Sequence, residues 1–535
     1  MLNLFHHLVQ ATQLHYPHRI ALQCKNRQFN YTQLQHNIEQ ISYQLISLGL
    51  ARQDRVAVYL GQSIESVISF FAVSACGAIF VPVNPHLKSR QIEHIFSDCT
   101  PKVLITSSQR YQQLDASSAA LAAIEHIILV DVLQTAQQTS HKLSLWSDLM
   151  HPPVDQDTNI LPVIDDTDTV AILYTSGSTG KAKGVMLSHK NLLCGARSVS
   201  SYLKNEPHDK ILAVLPFSFD YGLSQLTTAF YSGACVVLLE YLLPRDVIKA
   251  VVQYQITGLA GVPSLWIQLA RLKWPDEAGQ SLRYFTNSGG VMPTKTLQQL
   301  RQSVPHCQMY LMYGLTEAFR STYLEPQLID RLPGSIGKAI PDAKILIVNK
   351  EGRLCAADEV GELVHCGPLV AKGYWNNKEA TAETFRPVNH LLAELSAIEV
   401  SAAEKGALGY AVWSGDLVTQ DSDGFFYFVE RGDAMIKSSG YRISPTEVEE
   451  VFIQHEQVIN AAAIGVPHAE LGQAIVLVCS AANNITAEEL ILYAQHDLPK
   501  FMFPKDVIIE TELPQTVNGK IDRQALSRKY IHLYE

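Results

Sequence analysis

Residues 174–184 read YTSGSTGKAKG: four hydroxyl side chains (Thr175, Ser176, Ser178, Thr179) set among Gly177, Gly180 and Gly184, with Lys181 and Lys183 alongside. Glycine lets a backbone turn tightly and approach a ligand, while hydroxyls, free amides and ammonium groups all donate to anions. Such a loop suits phosphate. It is not the G-x-x-x-x-G-K-[ST] loop, because the glycine before the Gly180–Lys181 pair stands three residues back rather than five. A flexible glycine/serine surface linker is the competing reading. Against it stand the neighbours: VAILY (170–174) is an apolar, β-prone run and GVMLSHKNLL follows, so the loop leaves the end of a buried strand.

The elements that hold the loop can be read around it. Strand-like runs RVAVYL (55–60), KVLIT (102–106), HIILVD (126–131), KILAVLP (210–216), ACVVLL (234–239) and ITGLAGVP (256–263) alternate with helical patterns, which predicts α/β layers with helices covering the sheets. The apolar run 67–83 is interrupted by Ser69, Ser74, Gly77 and Pro82, and reads as a buried helix followed by a strand rather than a membrane span. From about Ala339 the pattern turns to short strands and turns, a β-rich subdomain. A smaller α+β unit follows the boundary near Arg431 to Asp433. The expected organisation is therefore an N-terminal core over 1–431, of layered α/β subdomains plus the β-rich one, and a small C-terminal domain over 432–535.

At 535 residues the chain exceeds what one core usually supports. A formal net charge of -10 with no basic stripe argues against a nucleic-acid partner, since phosphate backbones demand cationic surface. Nine cysteines lie scattered with no CxxC pair, and no histidine cluster has metal-ligand spacing. Reduced thiols, a cytoplasmic location and no zinc site are expected. The N-terminal MLNLFHHLVQATQLHYP lacks the pattern of a signal peptide.

YTSGSTGKAKGV, SFDYG, MYGLTE, WSGD, ERGDAMIKSSGYRISPTEVE and LPQTVNGKIDR, in this order and spacing, resemble the AMP-forming adenylating superfamily of acyl-CoA synthetases, peptide-synthetase adenylation domains and luciferases. The resemblance covers essentially the whole chain. Within it the sequence is similar to stand-alone exosortase-associated acyl-CoA ligases and to ligases that load an amino acid such as proline onto a carrier protein. It implies ATP, Mg²⁺ and a thiol acceptor, either CoA or phosphopantetheine on a carrier protein acting in trans. It implies that Thr175 to Lys183 hold the β- and γ-phosphates, that Lys520 stands between the carboxylate and the α-phosphate, where charge develops, that Glu317 binds Mg²⁺, and that Thr316 contacts the α-phosphate. Ser288, Gly289 and Gly290 would form the bend toward adenine and substrate, and Tyr313, with Gly314 after it, would face adenine. Asp416 would bind the ribose hydroxyls, with Phe428 and Arg431 nearby. Asp433 matches the hinge of the C-terminal domain, and Gly440 the lining of the thiol tunnel. Without the resemblance, Lys520 reads as a turn lysine after Asn518-Gly519 and Tyr313 as a core aromatic.

Ala182 stands where the family usually carries proline, and ERGD replaces a GRxD pattern; neither change removes a charged contact. For the substrate, Asp220 of PFSFDYG occupies the position that binds an α-ammonium in amino-acid-activating members, and its alternatives are an N-cap or a salt-bridged structural aspartate. The resemblance places Tyr221, Ser224, Ala260, Thr286, Ser288, Met312, Arg320 and Ser321 around the acyl group. Arg320 would pair a second substrate carboxylate or neutralise Asp220. The expected activity is Mg²⁺- and ATP-dependent adenylation of a small acid, an amino acid before a short or medium aliphatic acid, and transfer to a thiol.

Overall fold

The computed structural model describes residues 2–132, 142–150, 162–175, 181–388, 391, 410–431, 435–481, 485–514 and 521–535. Two sheets in the N-terminal core carry the site. The first runs Lys142–Leu145, His126–Leu129, Val103–Thr106, Arg55–Tyr59, Ile79–Pro82, Thr169–Thr175 and Lys183–Ser188. Its pairs are parallel except the last, where Thr169–Thr175 and Lys183–Ser188 form the antiparallel arms of the glycine/serine loop. The second sheet has a parallel centre of Cys235–Leu238, Lys210–Ala213, Gly258–Gly261, Tyr284–Asn287 and Gln308–Tyr313. Most strands of both centres are buried and largely apolar, as expected where helices cover both faces.

The helix Ile64–Ala75, almost wholly buried, is started by Ser63 and Ser66, each side chain accepting from the other's backbone N–H. The strand Ile79–Pro82 follows it, as the broken apolar run 67–83 implied.

The second sheet does not end with the α/β part. Through Thr322–Leu324 and Ser335–Ala339 it continues antiparallel into Phe426–Arg431, Tyr410–Gln420, Gly361–Cys366 and Lys344–Val348, so the β-rich subdomain is an extension of the same sheet. The hairpin joining Tyr410–Gln420 to Phe426–Arg431 turns at Asp423-Gly424, where Gly424 takes φ +85° and its N–H donates to Asp421 O at 3.0 Å.

A separate sheet forms the C-terminal domain: Tyr441–Ile443, Ile436–Ser438, Gly472–Ala481 and Val458–His468, with Asp506–Glu510 parallel to Gly472–Ala481. Helices Pro445–Ile453, Ala487–Ala494 and Arg523–Tyr530 cover it. Its core, including Phe452, Ile475, Leu477 and Leu490, is distinct from the N-terminal clusters. No described helix is long and apolar enough to cross a membrane, and all nine cysteines are free.

Candidate active site

A cavity of about 560 Å³ opens where the parallel strands of both N-terminal sheets end, with the C-terminal domain as its third wall. Ligands in open α/β sheets lie beyond the carboxyl ends of the strands, and the chain supplies chemistry-bearing residues there. Thr175 ends one strand and Lys181 resumes after the loop, both lining the cavity. Ser288 and Gly289 follow the strand Tyr284–Asn287; Gly314, Thr316 and Glu317 follow Gln308–Tyr313. Ser176, Gly177, Ser178, Thr179, Gly180, Asp433 and Lys520 lie outside the described residues.

On the nucleotide side, Glu317 sits in the single turn Thr316–Ala318, buried, and its Oε1 accepts from Tyr374 Oη at 2.7 Å. Tyr374 carries no motif of its own; KGYW (372–375) is its only signal in the sequence. Burial, then the Glu317 charge, pushes the Tyr374 phenol well above its ordinary range, so it remains a donor. The same stretch pins the arm leaving the loop: Trp375 N–H donates to Gly184 O at 2.7 Å, and Lys183 Nζ lies 5.2 Å from the Tyr374 ring centre. Tyr313 is buried and its hydroxyl donates to the Asp416 carboxylate, joining the two residues expected to read base and ribose. Arg431 stands opposite Asp416 in strand register. Phe428 lies on that same strand and is approached by Lys437 Nζ at 5.4 Å. The bend at Ser288–Gly290 is held by Asn287 Nδ2 donating to Gly290 O at 3.0 Å, with Gly289 at φ +81°.

The acid side is built on the helix Asp220–Ser232. Gly222 lets its first turn sit on the preceding loop, since a Cβ there would lie 2.0 Å from Pro216 O. Asp220 is the first helical residue, and the N-cap position before it is Phe219. It is 9% exposed, lines the cavity, and accepts from Thr316 Oγ1 at 3.1 Å. No ion pair joins it to a described lysine or arginine. Burial raises its carboxyl above the ordinary aspartate range, with Arg320 the strongest opposing influence.

Arg320 is 2% exposed; its Nη1 donates to Ser288 Oγ at 2.8 Å and its guanidinium stacks 4.6 Å from the Tyr221 ring centre. Tyr221 Oη and Thr286 Oγ1 share a hydrogen bond at 2.6 Å. Thus Asp220, Tyr221, Ser288 and Arg320 face the cavity. Ser224, Ala260, Thr286, Met312 and Ser321 are buried and do not line it. Tyr202 Oη contacts Met312 Sδ at 3.0 Å, and Ser321 Oγ pairs with His365 Nδ1 at 2.9 Å.

The C-terminal wall is the hairpin of Ile436–Ser438 and Tyr441–Ile443. Gly440, at φ +85°, lies against Val262, where a Cβ would come within 2.7 Å of Val262 Cγ1. Tyr441 packs edge-on to Phe219 at 5.1 Å and stacks on Phe501 at 3.9 Å. Across from the hairpin the helix Ser89–Cys99, which none of the six motifs includes, meets the C-terminal domain: Arg90 pairs with Glu450 at 2.9 Å and Gln91 Nε2 donates to Asp497 O at 3.0 Å. Nearby Glu447 is pushed up to about 7 by burial, with Arg90 lowering it and Glu450 raising it. No described residue beyond Met502 lines the cavity.

Comparison with known proteins agrees with this architecture. The AMP-binding enzyme family matches residues 9–375, and the AMP-binding enzyme C-terminal domain matches 447–520. The chain is 30% identical over 518 residues to a linear gramicidin synthase of Brevibacillus parabrevis, covering 95% of this chain and spanning only 9% of that protein. It is 29% identical over 507 residues to a long-chain-fatty-acid–CoA ligase of Bacillus subtilis, covering 89% of this chain and 86% of that one. The solved o-succinylbenzoate CoA synthetase of Bacillus subtilis shares the fold, with a TM-score of 0.79 at 24% identity over 97% of each chain. With the family matched in both domains and its motif residues at the strand ends around one cavity, the chain belongs to the AMP-binding enzyme family of adenylate-forming ligases.

Proposed function

We propose that the chain adenylates a small carboxylic acid, an amino acid, with ATP, releases pyrophosphate, and passes the acyl group to the thiol of CoA or of a carrier protein's phosphopantetheine. A carboxylate resists nucleophiles because of its charge; joining it to AMP creates an anhydride a thiol can attack. Thr175, Lys181 and Lys183, with the rest of the loop, would hold the β- and γ-phosphates. Tyr313, Asp416 and the bend at Gly289–Gly290 would hold the nucleoside. Thr316 would donate to the α-phosphate, and Lys520 would neutralise charge developing between it and the attacking carboxylate. Mg²⁺ fits one buried carboxylate beside phosphate oxygens, a donor set it commonly accepts, and Glu317 would hold it, with Tyr374 orienting that carboxylate. Mg²⁺ there would offset phosphate charge.

The second half-reaction would use the arrangement described above, with the Gly440 hairpin against Val262. The C-terminal domain, 432–535, would turn about Asp433 to exchange the hairpin for Lys520.

Asp220 is the observation that carries the amino-acid reading. A buried carboxylate, without an ion pair among the described residues and facing a substrate cavity, is stabilised most by a cation arriving with the substrate. The alternative is a short or medium aliphatic acid, for which the cavity-facing Asp220 and Arg320 would have no charged partner. Substrate-dependent pyrophosphate release across amino acids and short to long carboxylic acids tests it. Activity on amino acids that Asp220→Asn selectively removes is the expected result; activity on aliphatic acids that the variant leaves unchanged would overturn it.

A further inference from the structure

We infer that the accepted amino acid is short and carries a second carboxylate on its side chain, with Asp220 meeting the ammonium and Arg320 the side-chain carboxylate. This rests on the amino-acid reading and narrows it to a class.

The cavity wall holds two buried opposite charges that do not pair with each other. Asp220 accepts one side-chain hydrogen bond, from Thr316. Arg320 has five N–H donors; among the described residues only Nη1 has a side-chain acceptor, Ser288 Oγ, and its Nε is buried without one. Its guanidinium also lies over the face of Tyr221. An arginine present only to neutralise Asp220 would gain most by forking onto that carboxylate, the geometry its plane is built for. Arg283 does so elsewhere in this chain, donating from Nε and Nη2 to Asp209 at 2.8 and 2.5 Å. Arg320 does not.

Its placement is enforced by the backbone. Phe319 takes φ +60° and ψ -73°, a conformation costly for an aromatic residue. The Phe319 ring lies where Gly195 has no side chain: a Cβ there would meet it at 2.5 Å. Gly314 likewise leaves room for Arg320, whose Nη1 would be 3.3 Å from a Cβ at that position. A strained residue held from both sides next to a cavity-facing guanidinium is a positioning arrangement.

Complementarity then selects the substrate. A neutral amino acid would satisfy Asp220 and leave the guanidinium unpaired. A dicarboxylic acid without an amine would satisfy Arg320 and set an anion against Asp220. An amino dicarboxylic acid satisfies both, and because Arg320 stands close enough to Asp220 to act on its charge, the chain joining ammonium to side-chain carboxylate must be short.

Pyrophosphate release by the full chain with ATP and Mg²⁺ would be measured for aspartate, glutamate, asparagine, glutamine, alanine, serine, succinate and glutarate. The inference predicts that one acidic amino acid exceeds its own amide by about 100-fold or more in kcat/KM, because a buried donor set rejects an analogue that cannot pair with it. Arg320→Met should collapse that ratio toward one. Arg320→Lys, keeping the charge without the fork, should give an intermediate ratio. Asparagine, glutamine, alanine or serine preferred by the unaltered enzyme would overturn the inference and leave the reading of Asp220 standing. Activity confined to succinate, glutarate or other acids without an amine would overturn both. The panel on the unaltered enzyme decides the matter even where a variant fails to fold.

Discussion

The two ends of the cavity are built by different means. The acid end is made of buried groups fixed by one sheet and one helix: Arg320 stacks on Tyr221, and Tyr221 bonds Thr286. The end walled by the C-terminal domain is joined by partly exposed ion pairs, Arg90–Glu450, with side chains 40% and 41% exposed, and Arg271–Glu470, one side-chain-to-backbone bond from Gln91, the Tyr441–Phe219 ring contact and a glycine pressed on Val262. Exposed pairs of this kind contribute about 0 to 1 kcal/mol. If the C-terminal domain turns as proposed, recognition would rest on the more buried contacts, and the movement on contacts that include weak, exposed ion pairs.

Three perturbations bear on that division. The largest effect is expected from Lys520→Ala, which should slow pyrophosphate release by about 100-fold or more if its charge stabilises the transition state as proposed. Transfer from a chemically prepared acyl-adenylate to the thiol should be spared; a variant equally impaired in both steps would mean that the ends do not act separately. Gly440→Ala is the converse. Its Cβ would meet Val262 at 2.7 Å in a left-handed backbone, and the variant should slow thioester formation by about tenfold while pyrophosphate release continues. An unchanged rate of thioester formation would remove Gly440 from the thiol wall.

The smallest effect concerns pH. Glu447 has its carboxyl raised from an ordinary 4.5 to about 7 in the docked arrangement. Burial favours its protonated form, so the stability it gives that arrangement is complete below about 4.5 and is lost as the pH rises through about 7. The ratio of thioester formation to pyrophosphate release should therefore fall severalfold across that window, and Glu447→Gln should flatten the dependence. A profile identical in the variant would detach this glutamate from docking.

Much of the frame was legible because its signals are local. Apolar runs gave strands such as Arg55–Tyr59, Val103–Thr106 and Lys210–Ala213 but not Tyr284–Asn287 or Gln308–Tyr313, where Thr286, Asn287 and Gln308 interrupt the pattern, and turns such as Asp423-Gly424 are decided within four residues. The strand-end motifs placed Thr175, Ser288, Thr316 and Glu317 at one cavity because loops beyond parallel strands converge there, and Asp416 reaches it from within the antiparallel strand Tyr410–Gln420. What escaped was decided by distant pairings. Tyr374 reaches Glu317 across 57 residues, and Arg90 reaches Glu450 across 360. The depth of the acid pocket escaped for a related reason. Motif position names the residues around a substrate, but only the packed structure separates Asp220, Tyr221, Ser288 and Arg320, which line the cavity, from Ala260, Thr286 and Met312, which do not.

The continuity of the second sheet bears on the fate of the reaction's intermediate. Tyr313 and Asp416 belong to one uninterrupted ladder, while the C-terminal strands belong to another. An acyl-adenylate gripped through its base and ribose would therefore stay with the stationary frame while the smaller domain turns. Escape of the activated acid to water then becomes a race between that rotation and dissociation, and slower rotation would show as wasted ATP.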